Sequence, residues 1–288
     1  ALAQLSAASG KRTLVVEMDD KGALAHALHT EGVQFAEREI APNLFAMAMN
    51  TEDSLREYIR LFVKNPLVST FGPLAKILDF VANAAPGVKE ILAVGKLCWE
   101  VRERNYDIVI VDAEATGHIV AQVDAPAILS NLVQVGVIRD QTRWMQDILH
   151  DQSATGVVVV TAPEEIPVLE TIQLLDTLQS KTKVSVSAVV ANRVHPDVVA
   201  GGDLAVFAGL VSSVESGMMA SEPASVLRGP LRLLSIATQR RKREVGLLEQ
   251  LATNAKQRGV LFMSILEIDE QEAGITSVMS SVLKDELS

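Results

Sequence analysis

The feature that most constrains this fold is a series of short, continuous apolar runs, rich in β-branched residues, that alternate with longer helical stretches. Continuous rather than alternating runs are typical of strands buried on both faces of a parallel sheet. Strands that alternate with helices on this scale connect through right-handed crossovers. The chain is therefore predicted to be an α/β protein with a doubly wound, mostly parallel sheet. The predicted strands cover residues 12–18, 106–112, 156–161, 184–192 and 260–266, with a weaker candidate at 43–50.

Two predicted helical stretches, residues 51–104 and 125–150, are longer than a crossover between strands requires. Together they are predicted to form a helical subdomain over one end of the sheet. Composition marks no linker and no internal repeat. Residues 1–288 are therefore predicted to be a single domain with helical insertions.

The first residues have the pattern of a helix that has already begun. Residues 1–9 are rich in alanine with no capping residue before them, and Gly10 stands where a helix commonly ends. A doubly wound sheet usually starts with a strand and a turn that leads into its first helix. We therefore expect about 20 residues, including a glycine-rich turn, to precede this segment.

Composition excludes several classes of protein. Lys and Arg number 26 against 36 Asp and Glu, and the basic residues are scattered, which argues against a nucleic-acid partner. The longest apolar stretches are far shorter than the roughly 20 residues of a membrane-spanning helix, so no stable membrane insertion is expected. The single cysteine, Cys98, and the lack of a signal-peptide pattern predict a cytoplasmic protein.

Acidic residues follow two of the predicted strands. Asp112 ends an apolar run, at the position where open α/β sheets bind ligands and where a Walker-B aspartate holds magnesium through water. Asp19 and Asp20 follow another run, and carboxylates at two strand ends could share a metal and orient an attacking water. Acids that cap the following helices would give the same local pattern, so both interpretations stay open.

Asn192 and Arg193 end a third predicted strand. The side-chain amide of asparagine offers one donor group and one acceptor, which match the edge of adenine. Asparagine is equally common in plain turns, so this segment does not by itself decide between a nucleotide site and a turn.

Several short motifs follow one another along the chain. They are Glu17-Met18-Asp19, residues 40–45, Pro86-Gly87 with Glu90, Asp112 with Thr116-Gly117-His118, Pro163-Glu164 with Glu170-Thr171, and Asn192-Arg193-Val194. In this order and spacing they resemble the ArsA family of ATPases, which includes arsenite-pump ATPases and the ATPase that targets tail-anchored membrane proteins. The resemblance covers nearly the whole chain.

The resemblance implies a P-loop NTPase that binds and hydrolyses ATP with Mg²⁺ at a subunit interface. It makes Asp19 the acid that positions the attacking water in the first switch, with Asp20 beside it, and Asp112 the Walker-B acid that holds magnesium through water. It assigns the second switch, which senses the γ-phosphate, to Thr116, Gly117 and His118. The nucleotide contacts that it implies after two other strands are Pro163, Glu164, Asn192 and Arg193.

The same resemblance implies a dimer, formed by two copies or with a related ATPase subunit. Nucleotide binding would close this dimer and reshape the helical subdomain, which could hold a protein client. Arsenite is not an expected ligand, because Cys98 alone cannot supply three thiolates, and it cannot form a CxxC zinc clamp either.

The sequence departs from the family pattern at three places. The phosphate loop K-G-G-x-G-K-T is not among these residues, Asp20-Lys21-Gly22 stands where the family has Pro-Ala-His, and Glu114-Ala115 precedes the second switch. These departures keep open a second hypothesis, a non-hydrolysing partner subunit or scaffold. A ParA/MinD-type positioning ATPase ranks lower, because Lys284 is the only basic residue of the terminal segment 273–288.

Overall fold

The computed structural model describes residues 1–18, 22–62, 88–113, 116–132, 137–268 and 275–287. The chain divides into two compact units, each described by itself. The first comprises Ala1–Val157, Leu174–Val186 and Glu270–Ser288, and the second comprises Val158–Gln173 and Ser187–Asp269.

Strands and helices alternate along most of the chain. The strands are β1 (Thr13–Glu17), β2 (Arg38–Ala41), β3 (Leu44–Ala48), β4 (Ile108–Asp112), β5 (Val157–Thr161), β6 (Val186–Val194) and β7 (Leu261–Leu266). The helices are α1 (Leu2–Ala8), α2 (Ala23–Ala27), α3 (Thr51–Phe62), α4 (Val88–Arg102), α5 (Thr116–Leu132), α6 (Val137–His150), α7 (Glu165–Lys181), α8 (Leu204–Glu215), α9 (Ser221–Gln257) and α10 (Ile275–Leu287). The predicted α/β class with parallel pairing is confirmed.

The first unit is built on a four-stranded sheet of order β2-β3-β1-β4. β1 pairs in parallel with both β3 and β4, whereas β2 pairs antiparallel with β3. Successive residues of β1 point to opposite faces of the sheet. Val15 packs with Ala3 and Ala7 of α1, whereas Leu14 and Val16 pack against residues of α4 on the other face. β1 is therefore covered on both faces, as predicted.

Four helices of the first unit, α3 to α6, fall in or beside the two stretches predicted to form a helical subdomain. α4 and α6 share a cluster of Val94, Cys98 and Met145. They approach closely, since a Cβ added at Gly95 would lie 3.0 Å from Cε of Met145. Residues 63–87, which belong to the first predicted stretch, lie outside the described residues.

The second unit contains a three-stranded sheet of order β5-β6-β7, in which β6 and β7 are parallel. β5 and β6 begin side by side, since Val157 N–H donates to the carbonyl of Ser185 at 2.9 Å. α9 has 37 residues and is therefore about 55 Å long. Its first part packs with α8 through Val214, Ala224 and Leu231.

Three strands differ from the prediction of burial on both faces. β4, β5 and β7 each expose residues, and on β5 the side chain of Val160 is 60% exposed. Each of these strands is at an edge of its described sheet, so it has a pairing neighbour on one side only. The sequence pattern contained no signal for β2, in whose four residues Arg38–Ala41 two are charged and three are exposed. The weaker strand candidate at 43–50 is confirmed as β3.

Within the described part of the chain, no helix combines the length and the apolar character needed to cross a membrane.

Candidate functional site

Two carboxylates end neighbouring strands of the first unit. Glu17 is the last residue of β1 and Asp112 the last residue of β4, and the two are direct partners in the parallel register. Met18 N–H donates to the carbonyl of Asp112 at 3.1 Å, and Met49 N–H donates to the carbonyl of Glu17 at 2.7 Å. The carboxyl ends of β1, β3 and β4 are therefore held together, and the two acids lie at the same edge of the sheet.

Glu17 is a site residue that the sequence reasoning did not select. Glu17 is 3% exposed, and its Oε1 accepts a hydrogen bond from Ala23 N–H at the start of α2, at 2.8 Å. Gly22, with φ +75°, makes the left-handed turn that leads into this helix. Oε2 of Glu17 is buried and has no hydrogen-bond partner among the described residues. An acid directly after the apolar run Leu14-Val15-Val16 was the signal that could have found it.

The pair fits a magnesium ion of the kind that nucleotides bring with them. Magnesium usually keeps several waters and is held by one or two carboxylates together with phosphate oxygens. Asp112 is exposed at the strand end, and Glu17 beside it has a buried carboxylate oxygen without a hydrogen-bond partner in the described chain. Among the described residues there is no group of three or more His, Cys, Asp or Glu side chains that could hold a metal ion.

The two predicted switch segments are described to different extents. Thr116, Gly117 and His118 form the first turn of α5, which starts shortly after Asp112. Gly117 and His118 are exposed, and a Cβ at Gly117 would meet nothing within 4 Å. The start of a helix directs free backbone N–H groups outward and favours anions. Asp19 and Asp20 lie outside the described residues.

In the second unit, Asn192 and Arg193 lie in an irregular part of β6. The register with β7 shifts between Ala191 and Val194, which marks a bulge. Arg193 has φ +61°, a left-handed conformation that costs a non-glycine residue on the order of 1–3 kcal/mol. Bulges and strained residues of this kind turn side chains toward functional sites.

Arg193 is held by a carboxylate. Its guanidinium donates to Oε1 of Glu267 through Nη2 at 3.1 Å and Nε at 3.3 Å. Glu267 follows the end of β7, and its own N–H donates to the carbonyl of Val194 at 2.8 Å. Asn192 itself is half-buried. The turn predicted to contact adenine is therefore a fixed structure and not a loose loop.

Pro163 and Glu164 occupy the connection from β5 to α7. Pro163 is buried and Glu164 is exposed. The carbonyl of Glu164 accepts from Val168 N–H at 3.0 Å, so Glu164 lies at the first turn of α7. These two residues follow the end of β5, and the Asn192–Arg193 turn lies within the last residues of the neighbouring β6, all in the second unit. Asp112 and residues 116–118 belong to the first unit.

A parallel sheet with acids at adjoining strand ends and a helix that starts after one of them is consistent with an α/β protein of the P-loop NTPase type. A family model described as anion-transporting ATPase matches residues 1–143 and 134–207, which include every motif of the resemblance. The chain belongs to this family, the ArsA ATPases.

Individual proteins similar to this chain support the family assignment. The chain is 28% identical to ATPase BagA of Mycobacterium tuberculosis over 216 residues, which cover 71% of this chain and 63% of that protein. It is 26% identical over 238 residues to ATPase ASNA1 homolog 1 of Paramecium tetraurelia, covering 68% of this chain and 70% of the relative. It is also 28% identical over 123 residues to ATPase get3 of Schizosaccharomyces japonicus, and the match covers 41% of this chain and 36% of that protein. The chain thus spans less than two thirds of the length of the mycobacterial relative.

Proposed function

We propose that this protein binds ATP with Mg²⁺ and hydrolyses the β–γ phosphoanhydride bond. The observation that carries the proposal is the pair of carboxylates, Glu17 and Asp112, in register at the carboxyl end of a parallel sheet in a chain of the ArsA family. Magnesium, when bound, supplies positive charge to the transferring phosphoryl group. Asp112 would hold this ion through water, and the buried charge of Glu17 would support it.

The other predicted residues take roles consistent with their positions. Asp19 would position the attacking water, with Asp20 beside it in the first switch. Thr116, Gly117 and His118 would sense the γ-phosphate at the start of α5, where free backbone N–H groups favour an anion. The remaining nucleotide contacts would come from Asn192, Arg193, Pro163 and Glu164, with Asn192 reading adenine.

We further propose that nucleotide binding closes a cytoplasmic dimer, formed by two copies or with a related subunit, and acts on a protein client. Both units would belong to one ATPase domain over residues 1–288. The arrangement of α5 supports a link between nucleotide and client. This helix begins beside Asp112, and Pro126 within it accepts a hydrogen bond from Gln146 of α6 at 2.9 Å through its carbonyl oxygen. A shift at Thr116 would therefore reach the helices proposed to hold the client.

A non-hydrolysing partner subunit is the second candidate. Asp20-Lys21-Gly22 in the first switch and Glu114-Ala115 before the second differ from the family pattern, and these segments control hydrolysis more than binding. This candidate predicts ATP binding without turnover.

The test is ATP binding and steady-state hydrolysis by the full-length protein and by Asp112→Asn. We expect the substitution to lower the hydrolysis rate on the order of 100-fold, because it removes the charge that holds the hydrated magnesium. Asp107→Asn is the matched control, since Asp107 lies just before the opposite end of β4 and accepts Arg12 N–H at 2.8 Å, which an amide oxygen can also do. Binding without hydrolysis by the wild type would favour the partner subunit, and no binding would refute both candidates.

A further inference from the structure

A buried carboxylate lies behind the Asn192–Arg193 turn in the second unit. Glu244 of α9 is 3% exposed. Its Oε2 accepts a hydrogen bond from His195 N–H at 3.1 Å, and its Oε1 lies 2.5 Å from His195 Nδ1. A buried charge is costly unless it is paired and hydrogen-bonded. Arg240 Nε lies farther away, 3.8 Å from Oε1. The two short contacts go to His195, so Glu244 fixes the backbone and the ring of that residue together.

His195 extends this contact toward the turn. Its Nε2 lies 3.2 Å from Oε2 of Glu267, and the other oxygen of Glu267 accepts from Arg193 Nη2 at 3.1 Å. The imidazole therefore bridges two carboxylates, one on α9 and one after β7. The chain of contacts runs from Glu244 through His195 and Glu267 to Arg193.

The same helix holds the loop at a second point. Arg241, one turn before Glu244 on α9, donates from Nε to Oδ1 of Asp197 at 3.1 Å. The segment from Arg193 to Asp197 is thus tied to Glu267 at Arg193 and to α9 at His195 and Asp197. A left-handed arginine persists only where its surroundings over-determine its conformation, and these contacts do so.

We propose that Glu244, through His195 and Glu267, is a positioning residue that holds the Asn192–Arg193 turn in the shape that selects adenine nucleotides over other nucleotides. The inference rests on the proposed ATP binding and adds the source of base specificity. A site that reads a base by hydrogen bonds discriminates strongly only while its polar groups stay aligned. Alignment within about 0.5 Å depends on the residues behind the contacting side chain.

The experiment is calorimetric binding of Mg–ATP and Mg–GTP to the full-length protein and to Glu244→Gln. The amide keeps the volume but replaces one carboxylate oxygen with a donor group, so it weakens the hold of Glu244 on the backbone and ring of His195. We expect ATP affinity to fall about tenfold and the ATP-to-GTP preference to fall by the same factor. The rate of hydrolysis at saturating ATP should stay within about twofold of the wild type, because the reacting phosphates lie away from the base. A merely structural role for Glu244 would leave the preference unchanged.

Two further variants keep the test decisive. Glu249→Gln, an exposed change on the same helix, should leave both affinities unchanged. Glu267→Gln weakens the contact to Arg193 at a side chain that is 35% exposed, so it tests the network even if Glu244→Gln fails to fold. An unchanged ATP-to-GTP ratio in folded Glu244→Gln or Glu267→Gln would overturn the inference while ATP binding stands. If the wild type binds neither nucleotide, both the proposed function and this inference are wrong.

Discussion

At the scale of single residues, burial decides which ionisable side chains can react. Glu17 and Asp112 are partners in the same register, yet the first is buried and the second is exposed, because β1 lies inside the sheet and β4 at its edge. Cys98 is an extreme case. It is 3% exposed in the cluster between α4 and α6, and this burial raises the pKa of its thiol to about 12. The only cysteine of the chain is therefore a small core residue.

We predict that Cys98 resists alkylation in the folded protein. The raised pKa leaves about one thiol in ten thousand ionised at pH 8, and only the thiolate is nucleophilic. Incubation with iodoacetamide followed by mass spectrometry should show no added group on the native protein and one on the protein unfolded in guanidinium. Prompt labelling of the native protein would show that the cluster around Cys98 is open.

At the scale of secondary-structure elements, one ionic cluster joins three segments of the first unit. Nζ of Lys96 on α4 lies 2.6 Å from Glu100, 2.8 Å from Glu37 and 3.2 Å from Glu57. These carboxylates belong to α4, the segment before β2, and α3. Burial lowers the pKa of Lys96, but the hydrogen bonds and charges of Glu100 and Glu37 outweigh burial and raise the pKa above its usual range. Lys96 is therefore a shared counter-ion that holds the segments together.

We predict that Lys96→Met destabilises the protein by about 3 kcal/mol, because it leaves a buried carboxylate without its cation. The side chain of Glu100 is 5% exposed, so the loss of its cation has the largest energetic cost there. Since the folded pKa of Lys96 is raised, its contribution is complete below its unfolded pKa of about 10.4 and is lost only as pH rises through the folded value. The loss should therefore be the same across pH 6 to 9.

Urea unfolding followed by circular dichroism measures this loss. Lys11→Met serves as the control, because Lys11 is exposed and its removal should change the free energy of unfolding by no more than about 0.5 kcal/mol. Equal unfolding midpoints for the two variants would show that the cluster around Lys96 contributes no net stability.

At the scale of the whole molecule, the residues predicted to bind nucleotide are divided between the two compact units. The predicted magnesium and γ-phosphate residues, Asp112 and residues 116–118, belong to the first unit. The predicted adenine turn, Asn192–Arg193, and its supporting network belong to the second. A ligand that binds the folded chain and not the unfolded chain stabilises the folded state.

We predict that Mg–ATP raises the midpoint of thermal unfolding. A nucleotide concentration of one hundred times Kd stabilises the folded state by about 2.7 kcal/mol. For a chain of this size this corresponds to a shift of about 4 to 5 °C. Differential scanning fluorimetry with and without Mg–ATP measures the shift, and Asp112→Asn should reduce it. A midpoint that does not move at saturating nucleotide would contradict the proposed ATP binding.

Much of the fold could be predicted from local pattern, because a continuous β-branched run and the helix beside it each depend on residues that are consecutive in the sequence. β1, β4, β5, β6 and β7 were all expected within a few residues of their observed bounds. The sequence could not tell a central strand from an edge strand, since the exposure of Val160 depends on which neighbours β5 has in the sheet. It also missed β2, whose polar residues pair with β3 without being buried.

Some features of the candidate site could likewise be predicted from the sequence, and others could not. The position of Asp112 at a strand end, the start of α5 beside it, and the family to which the chain belongs follow from motifs in sequence order. The network behind the adenine turn does not, because His195 and Glu244 are 49 residues apart and Arg193 and Glu267 are 74 apart. The sequence by itself thus determined the class of fold and the strand ends, since periodicity and order act over short distances. Only the tertiary structure decided that Glu17 is buried beside Asp112 and that Arg193 is held in a left-handed turn, because burial and ion pairing depend on residues that folding brings together.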